Sequence, residues 1–433
     1  MNVHSVVTAA SPRVITFDGP SGVGKTTGAQ NLAGILRGRG HPTVFHSTGW
    51  VWRLASHLVI ANGIDPEAAT AAQVIALLER YQVSIECGAH AGDLSVLADG
   101  DRVIVNTHPI VSVLYSHPVV RELPHIASLS EVRRYLNNAI ITPWISQQSA
   151  TVIVEGRDTI DVTTGMWRQG QLRDKPVGFM FEHIGDLAGV RSDREDHLNI
   201  ARRDANDAKN MSTETEVNYI NTAKLNSPAL AAQELDRVVG SAYPDLARGS
   251  VVITVGPPRS GKGTQAAGIA SGLGGCHISS GDLLRSASLG ADDDVMRRGG
   301  LVSPQSLQEV LSSAILATDP ELPLVLDGVA RRPEEAPWLL NYLTRSGRRP
   351  SVMAVLDIDE ATMRARHREG RDDDDPAVLD RRWAMYADET SKSIAYLSQA
   401  LPATVTVDGR GSFATVRRAL EEAFQAIGLP LTK

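Results

Sequence analysis

Val14-Ile15-Thr16-Phe17-Asp18-Gly19-Pro20-Ser21-Gly22-Val23-Gly24-Lys25-Thr26-Thr27 and, far along the same chain, Val251-Val252-Ile253-Thr254-Val255-Gly256-Pro257-Pro258-Arg259-Ser260-Gly261-Lys262-Gly263-Thr264 repeat one pattern. In each, an apolar run with β-branched residues enters a glycine loop. A helical periodicity follows, as at Leu32, Ile35 and Leu36 after the first loop. Gly19 to Thr26 satisfies G-x-x-x-x-G-K-[ST]. Gly256 to Gly263 keeps that frame, with Thr264 one place later. Glycines let the backbone curl so that successive N–H groups converge on phosphate oxygens, and the next helix adds its positive end. An accidental turn explains one such match better than it explains two in the same strand–loop–helix context.

The predicted phosphate-binding residues are Gly19, Ser21, Gly22, Gly24, Lys25, Thr26 and Thr27, then Gly256, Arg259, Ser260, Gly261, Lys262, Gly263 and Thr264. Lys25 and Lys262 are expected to reach the β- and γ-phosphates of ATP, with Thr26 and Thr264 on Mg²⁺. Asp327 ends an apolar strand and is expected to order Mg²⁺ through water. The loops specify ATP or GTP binding and no particular reaction.

The two occurrences lie too far apart for a solenoid repeat and suit two whole domains. Gly240 to Ser250 has the composition of a linker, with Gly, Ser and Pro at its ends. The expected division is a tail over 1–12, a domain over 13–240, a linker over 241–250 and a domain over 251–433. Further apolar runs, Val103-Ile104-Val105, Thr151 to Val154, Leu324 to Leu326 and Val352 to Leu356, alternate with helical patterns. The expected fold class is therefore α/β: two P-loop domains, each a parallel sheet flanked by helices.

The chain has 433 residues, 42% apolar and 21% charged, enough for a core in each half. A net charge of −7 argues against a nucleic-acid surface but leaves room for local arginine pockets that take small anions. Two cysteines, Cys87 and Cys276, build neither a disulfide framework nor a thiolate cluster. Residues 1–12 lack a signal-peptide core and no apolar run reaches the ~20 residues of a membrane span. The expectation is a cytoplasmic chain whose partners are small nucleotides, with neither nucleic acid nor membrane among them.

Residues 251–433 resemble the adenylate kinase family over their whole length. The similarity is carried by Gly261-Lys262-Gly263-Thr264-Gln265, His277 to Arg285, Gly300-Leu301-Val302, Asp327-Gly328-Val329-Ala330-Arg331, and Arg371-Asp372-Asp373-Asp374 with Arg382. The resemblance implies nucleoside monophosphate kinase activity. It puts Ser280, Arg285, Val302, Gly328 and Arg331 at the acceptor, and Arg364, Arg368, Arg371 and Arg382 around the transferring group. That assignment suits phosphoryl transfer, where protein mainly positions and neutralises, and guanidinium forks match phosphate oxygens. A solvated helix face is the other reading of Arg364, Arg366 and Arg368. Only about a dozen residues separate Arg364 from Asp375, so the lid is short. Arg259 stands where the family has a glycine, and Glu335 where it has the glutamine that reads adenine. A carboxylate only accepts, so Glu335 suggests a base with adjacent donors, such as guanine; a Glu335 turned to solvent is the alternative.

Residues 13–240 resemble bacterial cytidylate kinase. The matching residues are Phe17 to Gly22, Ser47-Thr48-Gly49-Trp50-Val51-Trp52-Arg53, Ser112 and Arg121 by their spacing, Glu155-Gly156-Arg157-Asp158, and Arg203-Asp204 with Asp207. The resemblance implies a cytosine edge read by Ser112, Arg121 and Asp158, and ribose hydroxyls on Asp207. It also implies phosphate on Arg53, Arg157 and Arg203 beside Thr48. Catalytic charge is expected from Lys25, Lys262, Arg157, Arg331, Arg371 and Arg382. The leading expectation is a tandem ATP-dependent kinase, CMP- or dCMP-like in the first half and AMP or another monophosphate in the second. A regulatory half, or a specialised kinase for an unusual nucleotide, are the alternatives.

Overall fold

The computed structural model describes residues 4–6, 12–85, 94–98, 101–104, 110–182, 217–222, 225, 227–287, 295, 298, 300–366 and 375–431. The chain forms two compact units. One holds residues 11–35 and 43–242. The other holds 1–10, 36–42 and 243–433.

The first unit is built on a five-stranded sheet. Its strands are β2 (Val14–Asp18), β3 (Thr43–Ser47), β7 (Thr151–Glu155), β8 (Val177–Glu182) and β9 (Asn218–Asn221), in the order β3-β7-β2-β8-β9. All neighbours are parallel. Strands β2 and β7 are buried at every residue, the mark of a parallel strand covered on both faces. Parallel neighbours need long crossovers, and helices such as Lys25–Gly38 and Thr48–Ala61 supply them. Phe17, Phe179 and Phe181 are fully buried and pack together, with centroids of Phe17 and Phe179 5.2 Å apart.

One expected strand went elsewhere. Val103 and Ile104 belong to β6 (Asp101–Ile104), which pairs antiparallel with β5 (Leu94–Ala98). Strand β4 (Ser84–Ile85) completes a separate small sheet, β4-β5-β6. Only two residues separate β5 from β6, too few for a parallel crossover, so this run forms a hairpin rather than a member of the main sheet. Val105 lies outside the described residues.

The second unit has the sheet order β1-β14-β13-β10-β12-β11. Its parallel strands are β10 (Ser250–Val255), β11 (Cys276–Ser279), β12 (Leu324–Asp327), β13 (Arg349–Asp357) and β14 (Ala403–Asp408). Strand β1 (His4–Val6) runs antiparallel along β14, so this part of the expected tail is an edge strand of the second sheet. Residues 36–42 also group with this unit, and the Ser250 N–H donates to the Arg39 carbonyl at 2.7 Å. Apolar clusters cover both faces, one with Val252, Leu356, Val405 and Phe424, the other with Ile253, Leu326, Met353 and Leu339. Among the described residues no helix is long and apolar enough to cross a membrane.

The two sheets place equivalent parts alike. Each glycine loop leaves the C-terminal end of a strand with a parallel neighbour on either side, β2 between β7 and β8 and β10 between β12 and β13. The adjacent strand ends level with it, Phe17 opposite Glu155 and Thr254 opposite Asp327. Open α/β sheets bind ligands beyond strand C-termini.

Candidate active sites

In the first unit the loop turns on Gly19, Gly22 and Gly24, with φ of 139°, 77° and 92°. A Cβ at Gly19 would strike the Phe181 carbonyl oxygen at 2.3 Å, so that position needs glycine for space as well as conformation. Lys25 opens the following helix and is buried, its ammonium donating to the Pro20 carbonyl at 2.6 Å inside the loop and lying 4.0 Å from Glu155. Arg157 reaches back to donate to Ser21 Oγ at 2.6 Å. Glu155 accepts from Ser47 Oγ at 2.5 Å. Buried Thr48 lies under Gly156, where a Cβ would meet its hydroxyl at 2.5 Å. Thus Lys25, Ser21, Thr48 and Arg157 share one strand-end cleft, with Thr26 and Thr27 exposed in the first helical turn.

Asp18 sits beneath this cleft with no exposure. Its carboxylate accepts from the Thr159 N–H at 3.1 Å, the Thr159 hydroxyl at 2.6 Å and the Ile160 N–H at 2.9 Å. It therefore caps the helix Thr159–Arg168 from another strand. Burial lifts its pKa to about 6, and the hydrogen bonds from Ile160 and Thr159 oppose that rise.

Asp158 is met by residues that the motif spacing did not suggest. Arg133 Nη1 stands 3.3 Å from its Oδ2, and Asn137 Nδ2 donates to the same oxygen at 3.1 Å. The Arg133 guanidinium also stacks 5.3 Å from the centroid of the Trp52 ring. Arg121, expected here, is instead 59% exposed and pairs with its neighbour Glu122 at 2.5 Å. Ser112 is exposed as well. Arg133 and Asn137 are one turn apart on a helix and point at Asp158, which only the tertiary fold reveals. Arg53 donates to the Gly49 carbonyl at 3.1 Å and stacks 4.6 Å from the Tyr115 ring. Arg203 and Asp207 lie outside the described residues.

In the second unit Gly256 and Gly261 carry φ of 158° and 86°. Arg259 takes φ 60°, a conformation that disfavours side chains and that the usual glycine would adopt freely. Its carbonyl is held by Arg366, which also donates to the carbonyls of Gly409 and Gly411. Lys262 donates to the Pro257 carbonyl at 3.2 Å, the counterpart of Lys25 on Pro20. Ser260 is buried, its hydroxyl lying 2.8 Å from where a Gly256 Cβ would project and lacking a hydrogen-bond partner among the described residues. A Cβ at Gly263 would come within 3.0 Å of Asp327 Oδ2. A side chain there would crowd that carboxylate. Asp327 beside the helix start that carries Thr264 is an oxygen donor set that fits a hydrated Mg²⁺.

Asp327, Arg331, Arg285 and Arg382 form one electrostatic neighbourhood. Burial pushes the Arg331 guanidinium below its usual pKa; Asp327 and Glu335 oppose this, while Arg382 and Arg285 add to it. Arg285 pairs with Asp282. Ser280 donates to the Gly328 carbonyl at 2.6 Å, and at Gly328, with φ of 73°, a Cβ would strike Arg331 and Ser280. Glu335 is not turned to solvent. It is 4% exposed, accepts from the Arg331 N–H at 2.8 Å, and pairs with Arg332 at 3.5 Å. Arg332, missed in the sequence, also donates to the carbonyls of Val302 and Leu301. Glu335 and Arg332 thus tie the acceptor motif to buried Val302, and base reading is not the role these contacts favour. Arg364 is half exposed between Glu360 and Asp380; its neighbour Arg366 reaches the loop instead. Arg368 and Arg371 lie outside the described residues.

Two parallel-sheet domains with lysine-bearing glycine loops at strand ends define a P-loop nucleotide-binding architecture. A cytidylate kinase family model matches residues 15–172 and an adenylate kinase family model matches 254–401. The chain is 35% identical over 188 residues to the adenylate kinase of Xanthomonas campestris pv. campestris (strain 8004), covering 41% of this chain and 98% of that protein. It is 34% identical over 188 residues to that of Xanthomonas oryzae pv. oryzae (strain MAFF 311018), covering 41% and 98%. For that of Xylella fastidiosa (strain M23) the figures are 33% over 191 residues, 42% and 98%. The chain belongs to the adenylate kinase family through its C-terminal half, and residues 15–172 of its N-terminal half match the cytidylate kinase family model.

Proposed function

We propose that the chain carries two separate nucleoside monophosphate kinase sites, the first using CMP or dCMP and the second AMP, each with ATP as donor. In the first half the reading is supported by Asp158, held by Arg133 and Asn137 beside Trp52 at the end of the strand next to the loop. A cytosine edge offers one amine donor beside two acceptors, and this cluster offers a carboxylate beside a guanidinium and an amide. Lys25 and Arg157 neutralise the phosphates between the loop and that pocket. In the second half Lys262 faces the donor phosphates, while Arg331, Arg285 and Arg382 hold the acceptor phosphate and the charge of the transferring group. Thr26, and Thr264 with Asp327, would hold Mg²⁺, which would neutralise charge on the phosphate oxygens. AMP in the second half is supported by the name of the relatives it resembles. ADP release by the full chain over a panel of nucleoside monophosphates tests the reading. CMP and AMP should give the two highest values of kcat/KM, and activity on neither refutes it.

A further inference from the structure

Beside the acceptor cluster of the N-terminal half lies a cavity that shares Arg133 and Asn137 with it. It lies between the helical run 130–146 and the helix Thr159–Arg168, with a volume of about 580 Å³, the size of a small-metabolite site. Neither the glycine loop nor Thr48, Arg53 or Arg157 lines it. Its walls include Arg133, Arg134, Asn137, Asn138 and Gln169, and among the described residues no carboxylate lines it. Arg134 has no ion pair among the described residues. Asn137 and Asn138 sit in a π-helical turn, Leu136–Ile141, a rare widening that recurs at functional sites.

Gly165 supplies an independent observation. It lines the cavity from within the helix Thr159–Arg168, and a Cβ there would meet nothing within 4 Å. Neither a positive φ nor a close neighbour calls for glycine, and alanine is the better helix former. A larger side chain at this position projects into the cavity rather than into a neighbour.

We propose that this cavity binds a small metabolite bearing an oxyanion, phosphate or carboxylate, on a hydroxylated frame. Guanidinium forks take the oxyanion, and amides take the hydroxyls. Arg133 connects the cavity to the acceptor site, because the same side chain lines one and pairs with Asp158 in the other. An anion in the cavity competes with Asp158 for that guanidinium and so alters acceptor affinity. This coupling rests on the acceptor reading above; the binding does not.

The test uses the full chain, with ribose 5-phosphate and gluconate as probes, and Gly165→Leu to fill the cavity beside Gly165→Ala as control. At least one probe should raise the melting temperature of the wild type and of Gly165→Ala by several degrees. It should also shift KM for CMP at least threefold. Gly165→Leu should lose both responses while its kinetics without probe stay within twofold of wild type. Arg134→Ala, an exposed change that leaves the core intact, should weaken the probe at least tenfold. The probe that behaves so identifies the oxyanion. Equal melting shifts in wild type, Gly165→Leu and Arg134→Ala, or no shift with either probe, overturn the site. A melting shift that follows the variants without any change in KM overturns the coupling alone.

Discussion

Arg133 and Asp158 stand 3.3 Å apart, Nη1 to Oδ2, with both side chains mostly buried. They come from different segments, a helix before β7 and the turn after it, and they meet where the acceptor base is proposed to lie.

Removing one member of a charge-assisted pair leaves the other without its partner, at about 1.5–3 kcal/mol. Arg133→Ala should therefore lower kcat/KM for CMP roughly ten- to a hundredfold. Arg121→Ala, which removes an exposed pair with Glu122, should leave it unchanged. Steady-state kinetics on CMP read both. Equal effects of the two changes would contradict the assignment.

Glu335→Gln separates a structural from a base-reading role. The amide keeps one acceptor for the Arg331 N–H but turns an NH₂ toward the Arg332 cation, so the second half should lose about 1–3 kcal/mol of stability. The ratio of AMP to GMP turnover should not move. A marked gain in AMP over GMP would restore Glu335 as a reader of the base.

Asp18 gives a pH signature of definite sign. Its pKa is raised to about 6 in the folded chain from 3.8, so the folded state binds the proton more tightly between these values. The unfavourable contribution of its ionised form is present in full above pH 6 and is relieved as pH falls toward 3.8. Its size is about 3 kcal/mol. Subtracting the stability profile of Asp18→Asn from that of the wild type isolates it. The difference should shift in favour of the wild type as pH falls from 7 to 4. A flat difference, or one of opposite slope, contradicts the burial of this carboxylate.

The parts of the molecule legible in the sequence are those fixed by local chemistry. The glycine loops announce themselves because positive φ and close backbone approach demand glycine at set spacings, and the fully apolar runs beside them read as buried parallel strands. Arg157 follows a strand end and falls beside its loop for the same reason. Arg133 was not legible, since its partner Asp158 is distant in sequence. Arg366 was indistinguishable from Arg364 in a run of alternating arginines; only the fold turns one to the Arg259 carbonyl and leaves the other with Glu360. The β5–β6 hairpin was read as part of the main sheet because apolar character alone does not say which strands pair.

Each loop has its own lysine folded onto its own proline carbonyl, and the proposed function gives each loop a separate site. Turnover of CMP and of AMP, measured side by side on full chains carrying Lys25→Ala or Lys262→Ala, tests this most directly. Lys25→Ala should lower CMP phosphorylation at least about a hundredfold and spare AMP, and Lys262→Ala should do the reverse. Loss of both activities from either single change in a folded chain would contradict two separate kinase sites.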